Sequence, residues 1–493
     1  MDLNATFTAL NAGLPEDIER LAAAGFCDEA VALIDARLAE DWRATQNRPA
    51  YQGLSEEGLT VAQNPVEQAP DAQRAALIAH REILRHLPAA YPLSEVEAIA
   101  RVQALIPDFT AEEFRAMVAD NQIDWRFING KKQYGGRFLS NLLDTDAAFA
   151  ARAGRPISGA TNALRDRAIG IMQQKGEMTA RITLKAEIWP EDEAFAAAMA
   201  RAKAAGKNTV TAKVWLPLPA DCPSQSEIEL LGFSQPPTCI APADAAQRTV
   251  YWEVELTENR RFTAEYRYLQ CARYHDPLTG AAQAQLPPEC ADYLGEQAPH
   301  IVFTPYLKAL VAQLTDGVAE PARKAKRIYD FITCNVHYRY QPPYFVLQHI
   351  ADNCVRSRRG DCGIMALAFI TMCRIAGIPA RWESGLAVQP DHAGCHDWAR
   401  FYIAPLGWLY ADCSYGSSAA RNGAEQRRCH YFGNLDPYRM VANHAFQAQL
   451  TPPKHTWRAD PYDNQSGEIE LEGVGLYGCD FDVKRTVEEF KEL

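Results

Sequence analysis

The hydrophobic period of this chain changes twice along its length, and those changes constrain the fold more than any single motif. From residue 1 to about 150, apolar side chains recur at helical spacings, as Ile18, Leu21, Ala22 and Phe26 do. From Arg181, apolar and polar residues alternate in five runs (RITLKAEIW, TVTAKVWLPLP, SEIELLG, TVYWEVEL and RFTAEYRYL) with turns between them. A period of two gives each run one face to bury, so these runs predict a β-sandwich over residues 170–275. Over 300–445, helical patterns come first and strands second, and 446–493 follow as a C-terminal extension. The expected fold class is therefore multidomain α+β, with a helical N-terminal domain at 1–150, a β-sandwich middle domain and a mixed core.

Local signals fill in this outline. Pro15, Glu16 and Asp17 suit a helix start, and further helices are expected at Asp71 to Leu87 and Ser94 to Leu105. Asn129-Gly130, between two short runs, is the dipeptide of a type I′ hairpin. The Ala-rich stretch EDEAFAAAMARAKAAGK reads as a helix capped by Gly206, and residues 275–300 have the composition of a linker. The helical domain is expected to be a scaffold or a homo-oligomer contact, or else to shape a substrate cleft.

Composition excludes several functions. Fifty Lys+Arg against 62 Asp+Glu leave a net charge of −12, with no basic block, so nucleic acid is not an expected partner. The longest apolar run, Ile364 to Cys373, is about half of what crosses a bilayer, so no membrane partner is expected either. The N-terminus lacks the basic start and apolar core of a signal peptide, which reads as a cytoplasmic chain. Thirteen cysteines, odd in number and unevenly spaced, read as mostly reduced and buried rather than as a disulfide framework. Cys354, Cys395, Cys413, Cys429 and His430 lack the short Cys-x-x-Cys spacing of zinc sites, so neither a metal nor another cofactor is expected.

The sharpest chemical signal is RRGDCGIMALAFITMCRIAGIPARW. Gly360, Asp361 and Cys362 stand where a loop becomes a helix, and Ala366, Phe369 and Cys373 continue the helix's buried face. A cysteine there meets unpaired backbone N–H groups and the positive end of the helix dipole, which favour thiolate and can hold an oxyanion. Downstream, GCHDWARFYIAPLGWLYADCSYG reads as two strands joined at 404–407. Alternation puts His396, Trp398, Arg400 and Tyr402 on one face and Asp397, Ala399 and Phe401 on the other, so Asp397 points away from its neighbour His396. A tight turn centred on Ala404 would set Asp412 opposite His396, whereas a four-residue loop would miss that register by about three positions. Cys395 and Cys413 alternate to the opposite face and are expected to be buried. A cysteine at a helix start, a histidine on one strand and an acid on the next compose a nucleophile, a base and its orienting group.

GDC at 360–362, AGIPAR at 376–381, HDW at 396–398, GWLYAD at 407–412 and the order Cys, His, Asp resemble the transglutaminase-like superfamily of cysteine enzymes across residues 325–420. The resemblance implies a papain-like α+β core at 300–445 with Cys362 as nucleophile, His396 as base and Asp412 as orienting acid. It also implies an oxyanion donor upstream of the cysteine, here Tyr338, with Tyr340 and Gln341 as competitors that would otherwise meet substrate. Trp398 is expected to wall the cleft. HYFGNLDPYRM at 430–440 resembles the tail of some bacterial members, with Asp436 and Arg439 expected to contact substrate, and VWLPLP at 214–219 resembles the sandwich that precedes the core in bacterial relatives. The implied function is hydrolysis of a peptide, isopeptide or small amide through a thioester. Acyl transfer to an amine, or a non-catalytic scaffold, is the alternative.

Overall fold

The computed structural model describes residues 13–39, 70–156, 160–279 and 286–493. The extreme N-terminus and part of the 275–300 linker lie outside those residues. The chain divides into two compact units, Met1–Arg155 and Pro156–Leu493.

The first unit holds α1 (Glu16–Ala23), α2 (Cys27–Ala39), α3 (Pro70–Ala90), α4 (Glu95–Gln103), α5 (Ala111–Ala119), β1 (Trp125–Ile128), β2 (Lys131–Tyr134), α6 (Phe138–Thr145) and α7 (Ala147–Arg152). α4 and α5 each start in a capping box, Ser94 with Glu97 and Thr110 with Glu113. Asn129 and Gly130 both take positive φ, at 47° and 74°, between the paired strands β1 and β2, as a type I′ turn requires. Val102, Phe109, Phe114, Tyr134 and Phe138 form this unit's apolar centre.

The second unit begins with α8 (Ala160–Lys175), β3 (Glu177–Pro190), α9 (Asp192–Ala204), β4 (Val210–Pro217), β5 (Gln225–Phe233), β6 (Cys239–Ile240), β7 (Thr249–Leu256) and β8 (Phe262–Arg273). Then come α10 (Pro305–Thr315), α11 (Pro321–Asn335), β9 (His337–Tyr338), α12 (Ile350–Ser357), β10 (Arg359–Gly360), α13 (Cys362–Ile375), β11 (Ala380–Gln389), β12 (His392–Ile403) and β13 (Gly407–Ala411). It ends with α14 (Cys413–Arg421), α15 (Glu425–His430), β14 (Phe432–Gly433), β15 (Arg439–Asn443), β16 (Glu468–Leu471), β17 (Val474–Gly475) and β18 (Phe481–Glu492).

All five strand runs read from the alternating pattern are strands. They fall into two sheets, β18-β3-β8-β5 and β17-β16-β4-β7-β6, whose inner residues, among them Ile182, Leu184, Val214, Trp252 and Tyr266, share one apolar cluster. Both sheets need the C-terminus: β18 pairs along β3 and β16 pairs with β4. Residues 446–493 are thus part of the sandwich rather than an appendage, a pairing that no local pattern reports. Leu386, Val388 and Met440 of the core sheet belong to the same apolar cluster, so sandwich and core bury a common surface and form one unit.

The core is an antiparallel sheet, β14-β13-β12-β11-β15, with α13 packed on β12 and β11. Ile364 through Arg374 are all buried, so α13 is a central helix with no solvent face, as a helix apolar all round must be. The architecture is mixed α and β. Among the described residues, no helix is long and apolar enough to cross a membrane.

Candidate active site

Cys362 is the first residue of α13, and Asp361 is its N-cap, accepting from the Ile364 N–H at 3.3 Å. Parallel pairing of β9 with β10 sets Tyr338 beside Gly360. The Gln341 N–H donates to Asp361 Oδ2 at 3.2 Å and the Tyr344 hydroxyl donates to Asp361 Oδ1. The loop expected to supply an oxyanion donor therefore lies against the start of α13. The Gln341 side chain itself turns to the Arg339 carbonyl at 3.1 Å, and the Tyr338 and Tyr340 rings meet edge to face at 5.3 Å.

His396 lies on β12, with Nε2 donating to Asp412 Oδ2 at 2.7 Å. The register is not the one a turn centred on Ala404 would give. Ile403 pairs with Gly407 and Ala399 with Ala411, so a three-residue connection carries Asp412 one step past the last pair, diagonal to His396. Diagonal neighbours on one face are within reach of polar side chains. Asp412 then caps α14 through the Tyr415 N–H at 2.9 Å, so one carboxylate both starts a helix and fixes the imidazole.

Behind Asp412, Arg439 Nη1 lies 3.0 Å from its Oδ2, while Nε and Nη2 donate to the two oxygens of Asp436 at 3.3 and 3.0 Å. Arg439 is 0% and Asp436 1% exposed. Both were expected to meet substrate, but packing seals them in, and what they support is Asp412. Trp398, also 0% exposed, does not wall an open cleft; its Nε1 donates to Glu383 at 2.8 Å. Arg400 lies 3.1 Å from the same carboxylate and holds Glu383 down at about 2 against the effect of burial. Cys413 is buried as expected, but Cys395 is exposed, because it sits toward the open end of β12, where Ser466 and Arg485 are its partners. Only five of the thirteen cysteines are buried, and none is paired.

Tyr415 stacks on the His396 ring, centroids 4.3 Å apart and planes 26° apart, and the Arg165 guanidinium lies 3.7 Å from the Tyr415 centroid. Neither residue carries a sequence signal, and Arg165 belongs to α8, which precedes the sandwich. Burial lowers the His396 pKa, and the Arg439 and Arg165 charges add to that against the opposing pull of Asp412. The imidazole is therefore neutral in a range where an unperturbed histidine would titrate. NMR titration of the His396 ring is expected to give a midpoint below the usual value of about 6.5. Arg165→Gln, which deletes one of those cations, should move it upward. An unchanged midpoint in the variant would show that Arg165 does not act on the ring.

The thiol differs most from expectation. Burial, then Asp397, then Asp361 push the Cys362 pKa well above that of an ordinary thiol. A helix dipole offsets only about 0.3–1 kcal/mol at a surface and ~2 kcal/mol in partly buried geometry, which does not outweigh two carboxyls in a low-dielectric pocket. Alternation did turn Asp397 away from His396, and what lies on its other side is the sulfur: Cys362 Sγ donates to Asp397 Oδ2 at 3.2 Å. Among the described residues the thiol has no hydrogen bond to His396. Asp397 Oδ1 in turn accepts from Gln465 Nε2 at 2.7 Å, and the carboxyl is hydrogen-bonded to Asp463, itself bonded to Asp460. Gly363 permits this approach, since a Cβ there would fall 2.5 Å from the Tyr344 hydroxyl and 2.7 Å from Asp397 Oδ2.

Residues 308–413 match the family model of the transglutaminase-like superfamily, a span that closes just after Asp412. The core is thus transglutaminase-like, and the match supports a cysteine-based hydrolase or acyltransferase as the kind of chemistry. Among solved structures, the chain is similar to a candidate cysteine protease from Cytophaga hutchinsonii, at 15% identity over 64% of this chain and 91% of that one, with a TM-score of 0.40. It is also similar to the periplasmic domain of TgpA from Pseudomonas aeruginosa, at 14% identity over 52% and 94%, with a TM-score of 0.27. No curated protein matches the sequence.

Proposed function

We propose that the chain is a cysteine hydrolase that cleaves an amide through a thioester, with Cys362 as nucleophile, His396 as general base and then acid, and Asp412 as the group that orients the ring. The observation that carries this reading is the pairing of His396 Nε2 with a buried aspartate at 2.7 Å, in the domain whose helix begins with Cys362. That bond leaves Nδ1 as the nitrogen able to serve the sulfur. The sulfur turns from Asp397 to Nδ1, gives up its proton there and attacks the carbonyl. The protonated imidazole then returns the proton to the leaving amine. The oxyanion is then met by N–H groups at the start of α13, with Tyr338 as a further donor. Water finally resolves the thioester into acid and free thiol.

A second reading has one observation in its favour. An amine acceptor would be drawn by a carboxylate near the thioester, and Asp361 lies close to Cys362, which favours acyl transfer. Partitioning separates the two: a turned-over amide is supplied with rising concentrations of a primary amine, and acid product is compared with new amide. Hydrolysis predicts that acid dominates at low millimolar amine, while dominant new amide would replace the hydrolase reading with transfer.

A further inference from the structure

Resting on that reading, we infer that Asp397 is a positioning residue that stores the nucleophile as a protonated thiol turned away from His396, and that the segment before β16 sets it through Gln465. Cys362 Sγ reaches Asp397 Oδ2 at 3.2 Å. Gln465, which bonds the other Asp397 oxygen, also donates to the backbone carbonyls of His396 and Gly385 at 2.9 and 3.1 Å. It therefore clips the carboxyl to the very strand position that carries the imidazole. Asp463 is tied to Ser384 at 2.5 Å as well as to Asp397. The carboxyl is consequently held from two sides by residues more than sixty positions away in sequence, and Asp397 and Gln465 are 4% and 8% exposed.

The titratable groups that act on the sulfur are Asp397 from β12, Asp361 at the start of α13, Tyr338 from β9 and Tyr344 from the short turn at 344–346. None of them is a cation. Burial and Asp361 raise the Asp397 pKa well above the carboxylate range, and Asp463 is pushed up to about 8. A thiolate formed in this position would add a negative charge beside groups that already resist carrying one. The proton leaves only when the sulfur moves to an acceptor of different charge type, which is the neutral imidazole.

The test needs no substrate. Iodoacetamide labelling of the full chain from pH 6 to 9.5, resolved by site with mass spectrometry, reads the thiolate fraction of each cysteine. In the wild type, Cys362 is expected to label more slowly than the exposed Cys334, Cys429 and Cys479, with a midpoint above that of an ordinary thiol. Asp397→Asn should speed Cys362 labelling at least tenfold at pH 7.5 and lower its midpoint, and Gln465→Ala should do so by a smaller factor. Adding His396→Ala to Asp397→Asn should abolish the gain. If labelling in Asp397→Asn is unchanged or slower in a protein with the wild-type circular dichroism spectrum, the storage role is overturned. If the double variant labels as fast as Asp397→Asn, the imidazole is not the acceptor and the release step fails. Should Asp397→Asn not fold, Gln465→Ala decides alone, and an unaltered rate there overturns the proposal. These readouts are separate from turnover, so loss of the hydrolase reading and loss of the storage role are distinguishable.

Discussion

Cys362→Ala is expected to lower turnover by at least about a thousandfold, since removing a nucleophile forfeits what the whole constellation contributes, while moving the thermal midpoint by only a few degrees. The small stability effect follows from the surroundings. The substitution deletes one sulfur from a partly buried helix start, and the Asp361 cap of α13 is untouched. Asp397 keeps its bonds to Gln465 and Asp463. Removing the thiol also removes a third ionisable group from a pocket that already holds two carboxyls near it. A cost of about 1 kcal/mol is ordinary for such a change. Turnover measured alongside a thermal scan separates the roles: a folded but inactive variant assigns Cys362 to the chemistry, and retained turnover would remove the nucleophile from the proposal. A collapse of the thermal midpoint would instead make the residue structural.

What the sequence made legible divides by the range over which each feature is decided. The type I′ hairpin at Asn129-Gly130, the five sandwich strands and the start of α13 at Asp361-Cys362 follow from patterns within a few residues, where backbone conformation and alternation act directly. The two faces of β12 were also readable, and Asp397 does point away from His396. Alternation states only that two side chains part, though, and says nothing of what fills the far side. The N-terminus of α13 fills it here, so the residue set aside as a poor partner for the histidine became the partner of the cysteine. Gln465 and Asp463 lie in an unpatterned stretch between β15 and β16, placed by the pairing of β16 with β4, a long-range event with no local signature. Arg165 is equally silent in the sequence. The resemblance of HYFGNLDPYRM at 430–440 to the tail of some bacterial members singles out Asp436 and Arg439 as substrate contacts, but whether a charge faces substrate or a buried partner depends on what covers it. In this fold Tyr431 and Tyr415 cover them, with the Arg439 guanidinium 4.5 Å from the Tyr415 centroid.

That covering makes Arg439 the residue whose loss should be felt most widely. Its guanidinium is the shared counterion of two fully buried carboxylates, Asp412 and Asp436, and it holds the Asp436 carboxyl below its usual range despite burial. Arg439→Met fills much of the volume but strands both charges, a situation that costs about 3–5 kcal/mol when one partner of a buried pair is removed. The chemistry should suffer as well. Asp412 would then be disposed to take a proton, weakening its hold on His396 Nε2, and loss of the Arg439 charge would let the imidazole pKa rise. Activity should therefore fall, and what remains should need a higher pH, since the base works only when neutral. Arg439→Lys keeps a charge but cannot form the two-pronged contact with Asp436 and should lie between. Urea midpoints, read by tryptophan fluorescence with Trp398 5.3 Å from the guanidinium, give the stability term. Asp436→Asn in the Arg439→Met background supplies the decisive comparison. It removes one of the stranded charges, so part of the lost stability should return while the histidine's pH midpoint stays displaced, because Asp412 still lacks its cation. A loss below about 1 kcal/mol in Arg439→Met, or recovery of both properties together, would show that the buried arginine packs rather than holds Asp412 in charge.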